Sequence, residues 1–139
     1  MILLDTNVLS AVMQREVDRQ VVGWLDRQPR SSIWTTAVTV LEIRYGLRLL
    51  AAGKRREMLA RAFDVVLTET IEGRVAPFDD SAAIHAAELM AARRRRGQVQ
   101  ELRDTMIAGI ALSTRATLAT RNVAHFKELS VGVVDPWAN

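Results

Sequence analysis

Apolar runs too short for helices alternate along the chain with longer stretches of helical periodicity. Met1–Leu4 form an apolar run cut off by Asp5, Thr6 and Asn7, three residues that favour helix caps. That arrangement predicts a buried strand feeding a loop and a helix. Residues 8–13 and 17–27 read as helical, with Val21, Val22 and Leu25 on one side and Pro29 as the stop. Ile33, Trp34 and Thr35 have strand character. Residues 37–52 form the next predicted helix, with Val38, Leu41, Tyr45 and Leu49 as its inward face and Gly53 as its C′ stop. Residues 54–69 are amphipathic, with Met58, Leu59, Ala62, Phe63 and Val66 inward. Residues 74–78 are a strand candidate weakened by Pro77. A helix over 80–96 closes at Gly97. Residues 104–114 are small and apolar on most sides, the pattern of a buried helix. Residues 117–120 and 131–134 are short buried strands. Strands alternating with helices predict an α/β layer fold with a mainly parallel sheet, organised as a single domain over residues 1–139. Ligands of such sheets sit outside the carboxyl ends of the strands. Asp5 and Asn122 both sit just past a predicted strand's carboxyl end, which puts them at that rim.

Composition narrows the class. The chain has 139 residues, 49% of them hydrophobic and 25% charged, which is ordinary for a soluble globule. Its lack of cysteine excludes disulfides, thiolate zinc sites and cysteine nucleophiles, and fits a cytoplasmic setting. The longest uncharged run, residues 31–41, falls short of the ~20 residues a membrane helix needs. No basic segment precedes the apolar N-terminal run, so no signal peptide is expected.

Charge adds a hint about partners. The net charge is +3, and 17 of the 19 cations are Arg. Guanidinium forks match phosphate oxygens, so the clusters matter more than the total. One comprises Lys54, Arg55 and Arg56. It opens a predicted helix, where positive charge has no local benefit, and so favours an RNA contact. The other comprises Arg93, Arg94, Arg95 and Arg96. It ends a helix, where cations also offset the helix dipole, and the two readings stand level. Arg121 either meets phosphate or pairs on the surface.

Taken singly, each acid has an ordinary explanation. Asp5 could cap the following helix, Glu42 could be a solvated acid near a positive helix end, and Asp104 could be an N-cap. Asn122 could form a turn. His85 and His125 are too few and too far apart for a zinc site. His125 lies near the rim and reads mainly as a partly buried neighbour of Phe126. Trp24, Trp34 and Trp137 read as core or interface anchors, and nothing supports an aromatic base-stacking platform.

The ordered set is more specific than its members. Met1 to Asn7 reads Met-Ile-Leu-Leu-Asp-Thr-Asn, Glu42 closes Thr39-Val40-Leu41-Glu42, and Arg103-Asp104 opens an Ala/Ile/Gly helix. Leu118-Ala119-Thr120-Arg121-Asn122 then precedes His125-Phe126. Together these resemble the PIN-domain nucleases, and most closely the toxins of VapC and FitB type, over essentially the whole chain. The resemblance implies a three-layer α/β/α sandwich in which Asp5, Glu42 and Asp104 converge on magnesium or manganese. Asn122 takes the fourth metal-site position, and Thr6 and Thr120 help hold ligands or waters. The implied activity is endoribonucleolytic, and the implied partners are RNA, a small antitoxin protein and a second copy of the chain, with a higher-order toxin–antitoxin complex on DNA.

The chemistry is consistent with that reading. Phosphodiester hydrolysis needs charge neutralised on phosphate and a nucleophilic water at neutral pH, and a hard cation on oxygen ligands supplies both. Carboxylates about 5 Å apart repel by roughly 3 kcal/mol per pair at an effective dielectric of about 20, so such a cluster calls for a cation or for raised pKa values. With an uncharged Asn122, one tightly held ion is expected, a second arriving with substrate phosphate. Two other readings compete. One is a nucleic-acid-binding regulatory subunit that does not cut, which has no need of all three acids. The other, an aspartyl-phosphate phosphatase or receiver domain, needs a well-placed Lys. Lys54 and Lys127 are the only lysines, and neither falls at a predicted strand rim.

Overall fold

The structure, a computed structural model, describes residues 1–138. Five parallel strands form one sheet: β1 (Ile2–Leu4), β2 (Ile33–Thr36), β3 (Val75–Ala76), β4 (Thr117–Ala119) and β5 (Val133–Val134), in the order β3-β2-β1-β4-β5. Leu3 pairs with Trp34 on one side and Leu118 on the other. The helices are α1 (Thr6–Met13), α2 (Arg19–Asp26), α3 (Ala37–Leu49), α4 (Lys54–Val65), α5 (Asp80–Arg95) and α6 (Leu102–Thr114). A π-helical turn, Val66–Thr70, continues α4.

The central strands β1 and β4 are covered on both faces and read as near-continuous apolar runs, whereas β2 ends in the buried Thr35 and Thr36 and β5 is only half-buried. Leu3 and Leu4 point to opposite faces and are both fully buried. On Leu4's side, Val8, Leu9, Val21, Trp24, Ile43, Leu47, Leu59 and Phe63 bring in α1 to α4. On Leu3's side, Ala82, Ile107, Ala108, Ile110 and Ala111 bring in α5 and α6. The result is the expected three-layer sandwich. The chain fills the sheet from β1 outward through β2 and β3, then returns to β4 on β1's other flank. This reversal between β1 and β4 is the crevice where ligands of such sheets bind.

Several elements differ from the sequence reading. On α3 Val38 is buried as expected, but the rest of the core face is Thr39, Ile43 and Leu47, while Leu41, Tyr45 and Leu49 are exposed. Two apolar stripes of four-residue spacing lie on nearly opposite sides of this helix, and the first of these two sets is the one that packs. Gly53 is not a C′ stop: α3 ends at Leu49, and Gly53 stands at the N-terminus of α4. Met58 is exposed rather than inward. The predicted 74–78 strand shrinks to Val75–Ala76, since Pro77 cannot donate to a ladder. Helix α6 begins at Leu102, so Asp104 lies inside the first turn and is not the N-cap. The small residues of α6 have a packing reason. A Cβ at Gly109 would lie 2.5 Å from the Ala82 carbonyl oxygen and 2.9 Å from the Ala86 Cβ, so the two helices meet almost backbone to backbone.

Candidate functional site at the carboxyl rim

The site begins where β1 ends. Asp5 caps α1, its Oδ1 accepting from the Thr6 N–H at 2.8 Å. Its Oδ2 accepts from the Thr120 hydroxyl at 2.7 Å, across the crevice between β1 and β4. Thr120 Oγ1 in turn accepts from the Asn122 N–H at 3.1 Å, which leaves its own proton for Asp5. Capping and site building are therefore the same act for this residue: the cap orients the side chain that the rim presents.

Glu42, in the second turn of α3, is brought to the same rim. Its Oε1 accepts from the Thr6 hydroxyl at 2.9 Å, and its Oε2 lies 4.0 Å from Arg103 Nη1. Asp104 approaches on α6, with Oδ2 3.4 Å from His125 Nδ1. Arg103 is held by Glu101 through Nε at 2.7 Å and Nη2 at 2.6 Å.

Electrostatics follow from this crowding. Burial raises the Asp5 carboxyl above the usual range, and the negative charge of Asp104 adds to the effect, against the opposing hydrogen bonds from Thr120 and Thr6. Burial likewise raises Glu42, with the Thr6 hydroxyl pulling the other way, Asp5 and Asp104 adding to the rise and Arg103 opposing it. The three acids thus share one electrostatic environment, although they come from β1, α3 and α6.

Among the described residues, no three His, Cys, Asp or Glu side chains stand close enough to hold an ion as they are placed. The donor chemistry nevertheless fits a hard divalent cation. All three acids present oxygen only, and Asp5 and Glu42 keep free lone pairs beyond the bonds they make. Burial, with a smaller contribution from mutual repulsion, raises Asp5 and Glu42, and a bound cation would offset both effects.

The other expected site residues divide. Thr6 and Thr120 are in place, each donating to an acid. Asn122 is at the rim but exposed, and its contact with the cluster is through its backbone N–H. Arg121 is exposed at the same edge. Its backbone N–H donates to Asn7 Oδ1, and its guanidinium lies 4.6 Å over the Trp137 ring, whose Nε1 donates to Asp18. Trp137 packs against the core as expected and also supports the Arg121 guanidinium. Lys54 and Arg55 are exposed at the start of α4, and Arg56 lines a cavity with Arg44 and Arg48.

Arg94, Arg95 and Arg96 are exposed, but Arg93 is not an RNA-facing residue: it is only 2% exposed and fully engaged inside the protein. Four successive helical positions span about 300° of arc, so one of them has to face inward. The sequence reading also passed over Arg103 as a neighbour of Glu42. Its place beside Asp104 in the chain was the one available signal.

Comparison with known proteins bears on this geometry. A family model described as PIN domain matches residues 2–131. The VapC ribonuclease Y4jK of Sinorhizobium fredii is 36% identical over 137 residues, covering 99% of this chain and 98% of that protein. Toxin FitB of Neisseria gonorrhoeae is 34% identical, covering 99% of both. A solved structure of FitAB bound to an IR36 DNA fragment matches with a TM-score of 0.87 at 34% identity, covering 99% of this chain and 96% of that one.

Proposed function

Since the chain belongs to the PIN-domain family, with toxins of VapC and FitB type among its relatives, we propose that it is a divalent-cation-dependent endoribonuclease and the toxin of a toxin–antitoxin pair. The observation that supports this reading is that one loop, through Thr6, bonds both Asp5 and Glu42 at the β1–β4 crevice, with Asp104 near enough to act electrostatically on both. A binding module has no use for three acids that repel one another and phosphate alike.

Asp5, Glu42 and Asp104 would hold magnesium or manganese, with Asn122 beside them. That cation, when bound, supplies charge neutralisation on the scissile phosphate and a water acidic enough to attack at neutral pH. The chain's own residues do the rest. Thr120 and the Thr6 N–H fix both oxygens of Asp5, so this acid cannot rotate away. The Thr6 hydroxyl aims Glu42 from the same loop. His125, exposed and 3.4 Å from Asp104 on the same rim, would meet substrate there and donate a proton to the leaving oxygen. Arg121 presents a guanidinium at the rim suited to a neighbouring phosphate, while that of Arg103 is engaged by Glu101 and faces Glu42. Lys54, Arg55, Arg56, Arg94, Arg95 and Arg96 supply the diffuse attraction for an RNA backbone.

A small antitoxin protein and a second copy of the chain are the proposed protein partners, with a larger complex on DNA. The exposed stripe of Leu41, Tyr45 and Leu49, running along α3 from beside Glu42, supports a protein partner on that side. Among the described residues no helix is long and apolar enough to cross a membrane, and the lack of cysteine supports a cytoplasmic site of action.

The test is cleavage of end-labelled RNA by the purified protein with magnesium or manganese, with EDTA, and with Asp104→Asn. Cleavage lost in EDTA and reduced below about 1% in the variant is expected. A second reading, a subunit that binds nucleic acid without cutting, draws on the DNA-bound relative. Tight DNA binding with no metal-dependent cleavage would establish it instead.

A further inference from the structure

Arg93 is the one cation buried in the described structure, and its guanidinium is used in three directions. Nε donates to Glu128 Oε1 at 2.7 Å, Nη1 to Thr105 Oγ1 at 3.1 Å, and Nη2 to the His125 carbonyl at 3.1 Å. Thr105 passes its own proton to the Glu101 carbonyl at 3.2 Å. All of these partners lie on two segments: the start of α6 and the loop after β4. Those segments carry Asp104, next in chain to Thr105, and His125, whose ring faces Asp104 at 3.4 Å.

Packing alone does not ask for this residue. Helices α5 and α6 meet backbone to backbone at Ala82, Ala86 and Gly109, and further apolar residues of both helices pack around that contact without Arg93. A buried cation is costly to desolvate, and an apolar side chain would fill the space more cheaply. The planar fork does what an apolar side chain cannot: it fixes the distance between the α6 first turn and the 123–128 loop through directional bonds at both ends.

We propose that Arg93 is a positioning residue that sets Asp104 against His125. It acts through Thr105 on one side and through the His125 carbonyl and Glu128 on the other. This inference rests on the assignment of Asp104 to the site, and it deepens that reading by naming what holds the third acid.

The test uses Arg93→Lys, which keeps the charge and loses the fork. It also uses Thr105→Val, nearly the same shape but without the hydroxyl that accepts from Arg93 and donates to the Glu101 carbonyl, in case the first variant does not fold. Each is read in three ways at a temperature where circular dichroism shows it folded. Steady-state cleavage should show kcat lowered about tenfold or more with KM for RNA within about twofold, because a displacement near 1 Å at reacting groups is that costly while RNA attraction is unaltered. Manganese titrated by electron paramagnetic resonance should bind several-fold more weakly. Backbone amide spectra of the metal-free protein should show exchange broadening confined to residues 102–106 and 122–128.

A purely structural role predicts a lower Tm with kcat, manganese affinity and those amide signals unchanged in the folded fraction, and that result would overturn the proposal. If the wild-type protein neither cuts RNA nor binds manganese, the nuclease reading fails. The amide spectra then still decide whether Arg93 locks the two segments.

Discussion

Gly109 marks the closest approach of α5 and α6, and replacing it with alanine sets two effects against each other. In an open helix the change would stabilise by about 1 kcal/mol, since alanine loses less backbone freedom on folding. Here the new methyl would stand 2.5 Å from the Ala82 carbonyl oxygen, where ordinary contact begins at 3.4 Å. The helices must part by about 0.9 Å, and neither the backbone oxygen nor the Ala86 Cβ at 2.9 Å can rotate aside. Overpacking of this rigid kind belongs at the upper end of its usual range, about 3 kcal/mol, so the net loss is about 2 kcal/mol. For a chain of this size that lowers Tm by roughly 8 °C.

Gly46 on α3 is the internal control. A Cβ there meets nothing within 4 Å, and Gly46→Ala should raise Tm by up to about 4 °C. The functional consequence is separate. Helix α6 carries Asp104, and a displacement near 1 Å at that acid should cut RNA cleavage by about 10²-fold even in the folded fraction. Thermal unfolding of the two variants decides the matter. A Gly109→Ala protein as stable as wild type would refute the claim that backbone contact sets the α5–α6 distance.

Three further outcomes follow from the site. Asp5 is raised, so native protein holds its proton to higher pH than the unfolded chain does. Its contribution to the stability of metal-free protein therefore falls as pH rises from the ordinary carboxylate range through the native value, and the loss is complete above that. In EDTA, the Tm of Asp5→Asn minus that of wild type should grow across this window, and a pH-independent difference would count against the burial of a charged Asp5. Changing Arg94, Arg95 and Arg96 together to Gln should lower the slope of log binding against log salt by about 2 for single-stranded RNA, with little change in Tm. An unchanged slope would return those residues to a helix-dipole role. Finally, Arg103→Gln removes a cation 4.0 Å from Glu42 and should tighten manganese binding by up to about fivefold in calorimetry; weaker binding would show that Arg103 helps hold the site open for the ion.

How much of this was legible depends on which force fixed each feature. Strands β1 and β4 and helix α6 were readable because burial on most sides demands a nearly uninterrupted apolar sequence; the expected buried strand over 131–134 is only the half-buried pair Val133–Val134, at the sheet edge. Asp5 was readable because a polar residue that abruptly ends a buried strand has to stand at its rim. The orientation of α3 was not readable, because Leu41–Tyr45–Leu49 and Thr39–Ile43–Leu47 each form a four-residue stripe and periodicity cannot choose between them. Threonine on the packed side disguised the true face. Arg93 was hidden for the opposite reason: in a run of four arginines the buried one looks like its neighbours, and its partners Thr105, His125 and Glu128 lie 12 to 35 residues away. The clustering of Asp5, Glu42 and Asp104 was not available from spacing either. It came through resemblance of the ordered motifs, and the geometry then supplied the hydrogen bonds that hold the first two.

The buried polar side chains describe how such a rim can exist at all. They are Asp5, Thr35, Thr36, Thr39, Arg93, Thr105 and Thr120: four at or just past a strand's carboxyl end, Thr39 in the first turn of α3, and Arg93 and Thr105 on α5 and α6. Burying a polar group is tolerable only when it is bonded, and here the bonds are made within the rim itself: Thr35 to the Leu4 carbonyl, Thr36 to Thr39, Thr120 to Asp5, Arg93 to Thr105. The three acids draw on this lattice unequally. Asp5 is held at both oxygens, Glu42 by one hydroxyl and a long ion pair, and Asp104 by its His125 neighbour alone. Mutual repulsion sets the limit, since three acids fixed rigidly together would destabilise the cation-free protein. A rim that fixes one acid and leaves the others room to move keeps that cost low until a cation draws them in. On this argument the loosely held Asp104 is where the fold needs a positioning device of its own, and the fork of Arg93 is bonded to the two segments that could provide it.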